Sequence, residues 1–256
     1  MTTQQKTKYP QRVRNELHFR KLTVLRVERI GAAFQRVVLG GDALEGFVSR
    51  GFDDHTKLFF PAPGTTFVPP TVTDEGIIWA DGPRPATRDY TPLYNNARHE
   101  LAYDFFIHDG GVASEWAMQA KAGDTLTVAG PRGSLVVPED YSWQLYVCDE
   151  SGMPALRRRL ESLRQQAVVP KVKAIVTVAD AAWQDYLADS GFEIEWIIGH
   201  DEGAIAAALN AVTVPAEDYF IWVTGEGAVV KSLTDNFVTD DINPHLVRSQ
   251  AYWHRK

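Results

Sequence analysis

The chain is poor in the groups that build permanent metal or redox centres. Its 256 residues include one cysteine, Cys148, and seven histidines. A single cysteine excludes an internal disulfide, and no Cys/His spacing matches zinc or an iron–sulfur cluster. No run of about 18 apolar residues occurs, so a membrane-spanning helix is not expected. The opening stretch MTTQQKTKYPQRVRNELHFRK is polar and has no apolar leader core, and a cytoplasmic setting fits. Gly-x-Gly-x-x-Gly and Gly-x-Ser-x-Gly are both missing, which removes the simple dinucleotide fingerprint and the hydrolase elbow. Positive charge is short as well. Lys plus Arg number 26 against 33 Asp plus Glu, a net charge of −7. The molecule as a whole should repel nucleic acid and anionic membrane, and an anionic ligand would need a local basic patch.

What is present divides in two. Residues 1–16 read as a polar lead-in. Residues 20–138 read as short β segments: Leu22–Glu28, Phe34–Leu39, Lys57–Phe60, Thr87–Thr91, Glu100–His108 and Thr125–Ala129. Gly and Pro cluster between them, as in FPAPG, DGPRP and GPRGS, the pattern of an antiparallel barrel or sandwich. One helix, about Ser114–Lys121, interrupts them. After Pro138 strands and helices alternate. Strands are expected at Trp143–Cys148, Lys173–Val178, Glu193–Ile197 and Tyr219–Val223. Helices are expected at Pro154–Gln166, Ala181–Asp189, Glu202–Ala211 and Gly225–Phe237. Such alternation predicts a parallel sheet with helices on both faces. The expected domains are 17–138 and 139–256, a β-barrel followed by a Rossmann-like α/β half, and a cleft between two such halves favours a cofactor site.

Several stretches could carry chemistry. In RDYT, residues 88–91, a strand would place Arg88 and Tyr90 on one face. Tyr90 offers a ring for stacking, Arg88 a fork for phosphate and Thr91 a hydroxyl. The same four residues also suit an ordinary exposed strand. In DFFIHDGGVASEWAMQAKAGD, residues 104–124, a strand runs through Asp109-Gly110-Gly111 into a helix. Such a junction presents free N–H groups to a phosphate, and Ser114 is the expected N-cap or phosphate ligand. An ordinary capped turn is the plain alternative. Lys57 and Arg132 are lone cations, one entering an apolar strand and one in GPRGS. Each suits a snorkelled surface residue or the mouth of an anion site. CDESGMP stands where a nucleotide fold often has its glycine fingerprint, and WVTGEG is a second strand–glycine–helix turn. Trp253 in the tail AYWHRK could cover a flat ring. His99 and His108 read as strand-end residues, and Cys148 as a small buried one.

Taken in order and spacing, KLFFP, RDYTPLY, DFFIHDGGVASEWAMQAKAGD, VAGPRGS, CDESGMPALRRRLE, WVTGEG and AYWH resemble the siderophore-interacting protein family of FAD-dependent reductases. Within it the likeness is to NADPH-dependent ferric-chelate (ferric siderophore) reductases, and it covers nearly the whole chain. The resemblance implies a ferredoxin-reductase-like fold, with an FAD-binding barrel and an NAD(P)H-binding α/β domain. It implies that Arg88 pairs with the FAD pyrophosphate, that Tyr90 stacks on the isoalloxazine and that Thr91 bonds near N5. It places Asp104, His108, Gly111, Val112, Ala113, Ser114 and Trp253 around the FAD. Glu150, Ser151, Gly225 and Glu226 fall at the nucleotide cleft, and Lys57 and Arg132 at the anionic ferric siderophore. NADPH is the implied donor. Asp180, which follows the second α/β strand, favours a free ribose 2′-hydroxyl and hence NADH, and ferredoxin is a donor in some relatives. A ferredoxin-driven flavoprotein or a non-catalytic siderophore-binding module are the rival readings. No residue ligates metal and none acts as acid, base or nucleophile, because the cofactor carries the chemistry.

Overall fold

The computed structural model describes residues 8–255. The chain forms two compact units. One is Arg12–Val136, and the other takes residues 137 onwards together with the N-terminal residues through Gln11.

The first unit is built on β1 (Gln11–Arg14), β2 (Phe19–Ile30), β3 (Phe34–Gly40), β4 (Thr56–Phe60), β5 (Thr71–Thr73), β6 (Gly76–Ile78), β7 (Ala86–Tyr90), β8 (Leu93–Asn95), β9 (Glu100–Phe106), α1 (Val112–Gln119), β10 (Thr125–Ala129) and β11 (Gly133–Val136). Seven strands make one sheet in the order β7-β4-β10-β2-β3-β9-β8, its ladders antiparallel. Its edge strands β7 and β8 follow one another in the chain through Thr91 and Pro92. Alternation sorts the side chains. Leu22, Val24, Val37, Leu39, Leu58, Phe60, Leu101, Tyr103, Phe105, Leu126 and Val128 meet in one core, with Ala113 and Ala117 of α1 packed into it. The lead-in is not all loose. Gln11–Arg14 pairs with β11, because the hydroxyl and backbone groups around Ser134 accept it: Asn15 Nδ2 donates to Ser134 Oγ at 3.1 Å. Residues 1–7 of that lead-in lie outside the described residues. The short strands β5, β6, β8 and β11 carry too few apolar residues to show in the sequence pattern.

The second unit contains β12 (Trp143–Cys148), α2 (Met153–Arg164), β13 (Lys171–Val178), β14 (Ile194–Ile198), α3 (Glu202–Asn210), β15 (Tyr219–Glu226), α4 (Gly227–Thr234) and β16 (Val247–Trp253). All four ladders are parallel, in the order β14-β13-β12-β15-β16. Central β12 and β15 are buried at every position, as strands covered on both faces must be. α2 sets Met153, Leu156, Leu160 and Leu163 on its buried face at helical spacing and begins with Pro154 in its first turn. The helix expected at Ala181–Asp189 is a 3-10 segment, Ala181–Leu187, closed by the Asp180 side chain at its start. Among the described residues no helix is long and apolar enough to cross a membrane.

One buried cation organises the entry to this unit. Arg159 on α2 donates to the carbonyls of Val137 (3.2 Å) and Pro138 (2.7 Å), to Gln144 Oε1 (3.0 Å) and to the Tyr146 hydroxyl (2.8 Å). Arg159→Met keeps the volume but strands these acceptors in a dry site. It should lower stability by roughly 2–4 kcal/mol, read as a lower urea midpoint of the α/β unit at unchanged slope.

Candidate functional site

The β4–β7 ladder settles how RDYT is displayed. Thr56 faces Tyr90, Lys57 faces Asp89 and Leu58 faces Arg88. Partners in an antiparallel ladder share a face, so Arg88 and Tyr90 lie together beside Leu58, while Lys57 and Asp89 lie on the other face. Arg88 is exposed, and its guanidinium turns back to its neighbour, Nη1 donating to the Thr87 carbonyl at 2.7 Å. Tyr90 is backed by Phe105, ring centroids 4.6 Å apart, and burial pushes its phenol up to about 12. Thr91 is buried just past the strand end. The strand therefore presents a packed ring and an exposed cation side by side.

The turn from β9 into α1 is shaped by its glycines. Gly110 has φ +73°, a left-handed conformation that costs glycine little. At Gly111 an added Cβ would stand 2.5 Å from His108 Cε1, so any other residue there would have to push the imidazole aside. Gly111 is the N-cap of α1 and supplies no side-chain hydrogen bond. The N–H groups of Val112 and Ala113 in the first turn are left without a capping side chain, the arrangement that receives a phosphate. Ser114 departs from expectation. The helix starts two residues before it, and its hydroxyl is spent on the turn, donating to the His108 carbonyl at 2.7 Å and accepting the His108 N–H at 2.9 Å. It fixes the loop and is not the N-cap. Asp104 is likewise turned to structure. Its side chain is wholly buried, and both its oxygens accept from Arg36, at 2.7 and 2.8 Å across the β3–β9 ladder. That carboxylate cannot reach a ligand at the surface.

Lys57 and Arg132 come from adjacent strands. β10 pairs with β4 at Ala129↔Lys57, and Arg132 follows three residues on in an exposed turn. Lys57 is already paired with Asp89, Nζ to Oδ1 2.8 Å, both half-exposed. Such a surface pair is worth about 0–1 kcal/mol, so an anion of higher charge can displace Asp89.

In the α/β unit a cavity of about 230 Å³ opens at the carboxyl ends of β12, β13 and β15. The β12–β15 boundary is where strand order reverses, the position at which open α/β sheets take ligands. Val147, Ile175, Ile205, Val229 and Leu233 form its apolar part, and Asp149, His200, Glu202, Gly225, Glu226, Trp253 and Arg255 its polar part. Asp149, missed in the sequence, is the hub. Its Oδ1 accepts from Ser151 N (2.9 Å) and Oγ, and its Oδ2 from Glu226 N (3.0 Å) and Trp253 Nε1 (2.8 Å). Burial pushes its carboxyl above the ordinary carboxylate range, against the pull of those donors. Trp253 is thereby held at this cavity, half-exposed, with Gly225 and Glu226. Ser151 is committed to Asp149. Glu226 caps α4, accepting from Ala228 N (2.9 Å) and Val229 N (3.1 Å), which holds its carboxyl below the usual range. Asp180 caps its own 3-10 segment through Ala182 N at 2.8 Å. Cys148 is buried, and desolvation pushes its thiol well up, which suits packing and not redox chemistry.

Glu150 has a different partner. Its Oε1 accepts from Ala179 N (2.9 Å) and stands 3.0 Å from His200 Nε2, while His200 Nδ1 faces Thr177 Oγ1 at 3.2 Å. His200 was invisible in the sequence, since only the β14–α3 turn brings it to Glu150. The Glu150 contact raises the His200 value above that of free histidine. With a raised folded value, the pair's stabilisation is present below about pH 6.5 and is lost as pH rises through the folded value. His200 should titrate by NMR above free histidine and return toward it in Glu150→Gln. Stability of the unit should fall across that same window, and less so in His200→Asn.

Comparison with known proteins agrees with this architecture. The family model described as siderophore-interacting FAD-binding domain matches residues 23–135, and that of siderophore-interacting protein matches 141–256. The NADPH-dependent ferric-chelate reductase of Escherichia coli K12 is 69% identical over 97% of this chain and 98% of its own. The crystal structure of a siderophore utilization protein from T. fusca superposes with a TM-score of 0.82 at 32% identity, covering 96% of each chain. A ferredoxin reductase in carbazole 1,9a-dioxygenase shares the fold, with a TM-score of 0.63 at 15% identity over 93% of this chain and 70% of that one. With an antiparallel sheet unit of the FAD-binding kind and a parallel five-stranded α/β unit, this chain belongs to the siderophore-interacting protein family.

Proposed function

We propose that the protein is an NADPH-dependent reductase of ferric chelates, ferric siderophores among them, working through FAD. The observation that carries this is the full-length, 69% identity to a protein of that activity. The geometry supports it: a backed aromatic ring, an exposed arginine and an uncapped glycine-led helix start occur together in one unit. Bound FAD would convert a two-electron donor into a one-electron reductant, and Fe(III) of the chelate is the substrate. Ferrous iron is held less tightly by hard oxygen donors than ferric, so reduction frees the metal. Among the described residues no group of three or more His, Cys, Asp or Glu could hold a metal ion.

The roles assigned here are these. Arg88 reaches the FAD pyrophosphate, whose other contact is the Gly111–Val112–Ala113 helix start, with His108 over Gly111. Tyr90 stacks on the isoalloxazine and Thr91 bonds at its edge. Lys57 and Arg132 attract the anionic chelate against the overall −7 charge. The α/β cavity, lined by Gly225, Glu226 and Trp253 with Glu150 behind its His200, takes the donor nucleotide. A cytoplasmic setting fits reduction by NADPH.

The test is the visible spectrum under anaerobic conditions. Flavin bands that bleach with NADPH and return with a ferric catecholate are the expected result. Absence of flavin even after FAD is added would overturn the reading, and bleaching only with reduced ferredoxin would move the donor. Arg88→Ala should weaken FAD binding by about 10–100-fold, the loss of a charge-assisted phosphate contact. Lys57→Ala with Arg132→Ala should raise KM for an anionic ferric chelate while leaving flavin reduction by NADPH unchanged in stopped-flow.

A further inference from the structure

A second arginine stands at the RDYT end of the sheet unit, and it has no anion. Arg20 on β2 pairs with Val128 on β10, and Val128 with Leu58 on β4, which in turn faces Arg88. Val128 and Leu58 are fully buried, so Arg20 points to the core side and is only 6% exposed. Its guanidinium carbon lies 5.5 Å from the Phe47 ring centroid, and Nη2 reaches the Glu45 carbonyl at a long 3.4 Å. The phenols of Tyr103 and Tyr94 are the polar groups that act on it electrostatically. Tyr103 shares a 2.6 Å hydrogen bond with Thr56 Oγ1, and Thr56 lies opposite Tyr90 with its hydroxyl 3.5 Å from the Tyr90 carbonyl. A short polar path thus leads from Arg20 to the strand end that carries Tyr90 and Thr91.

The charge is not neutralised. Among the described residues no carboxylate lies within ion-pair distance of Arg20, and its buried Nε has no hydrogen-bond partner. Arg159, the other buried arginine among the described residues, is ringed by acceptors, and the partly buried Arg36 grips Asp104. Desolvating a guanidinium without an anion is unfavourable, and an aliphatic side chain would fill the same core. What the charge adds is a fixed positive potential in a low-dielectric site on the core side of the sheet, joined to the Tyr90 strand by the Tyr103–Thr56 hydrogen bond.

We propose that Arg20 is a tuning residue for the flavin, its unneutralised charge favouring the reduced isoalloxazine and so raising the midpoint potential. The inference rests on the FAD reading above. Uptake of two electrons and one proton leaves the ring system with one more negative charge. A buried cation that acts on Tyr103, which is linked through Thr56 to the Tyr90 strand, lowers the free energy of that form relative to the oxidised one. Arg20 does this without touching flavin or substrate, and it makes the flavin easier to reduce by a nicotinamide donor.

The experiment is a midpoint determination on the FAD-loaded full chain, by slow anaerobic reduction against a reference dye. Arg20→Met, which keeps the aliphatic bulk, should shift the midpoint to more negative values, with Arg20→Lys in between. Tyr94→Glu, which leaves Arg20 in place and sets a carboxylate near it, should shift it the same way. That variant decides the matter where Arg20→Met does not fold. Flavin bound with an unchanged midpoint in these variants would overturn the proposal alone. A native protein that takes up no flavin would overturn the FAD reading, and the proposal with it.

Discussion

The first turn of every helix leaves backbone N–H groups that must find an acceptor. How this chain meets that demand separates its two units. In the α/β unit most of the answer is internal, although α2 itself follows Gly152 with no side-chain cap. Asp149, Asp180, Asp201 and Glu226 each turn a carboxylate onto the N–H groups of the segment they begin. Those ends are filled by the protein's own negative charge. In the sheet unit α1 begins at a glycine, with no side chain to offer. A glycine there leaves the first-turn donors without a capping side chain, and the His108 ring lies close over it. The missing Gly-x-Gly-x-x-Gly of the α/β half and the Gly-Gly of the sheet half are two outcomes of one requirement.

The second organising feature is the alternation of a single ladder. Because β4 and β7 pair as they do, Arg88 and Tyr90 are displayed on one face and Lys57 on the other. Two cations only one register step apart are thus divided between different tasks. In a chain with a net charge of −7, each exposed cation is surrounded by competitors for it. Lys57 is held by Asp89 in a weak, solvent-screened pair, whereas Arg36 is locked by a carboxylate with no exposure at all. Only the former is exposed enough to exchange its partner for another anion.

Much of this was legible in the residues. The long, strongly patterned strands such as Thr125–Ala129 and Trp143–Cys148 lie where their apolar runs put them. The short strands β5, β6, β8 and β11 did not show, because three or four residues carry no periodicity to read. Ser114 looked like an N-cap because serine before a helix usually is one. It lost that place because the glycine turn lets α1 begin earlier and leaves its hydroxyl against the His108 backbone. Asp149 and His200 gave no signal, since their partners lie 77 and 50 residues away in the cases of Glu226 and Glu150.

The sequence by itself determined the two-part architecture, the family and the strand that shows a ring beside a cation. Periodicity, turn residues and motif order are local properties, and local properties survive in a one-dimensional string. Tertiary structure decided which charges remain unspent. Whether a carboxylate caps a helix, clamps an arginine or faces a ligand depends on what lies across the sheet, as Asp104, Asp149 and Glu226 each show. Arg20 reads as one more basic residue of a β segment until the fold buries it among tyrosines with no anion in reach. Burial and pairing set the energy of a charge, and both are fixed only when distant segments meet.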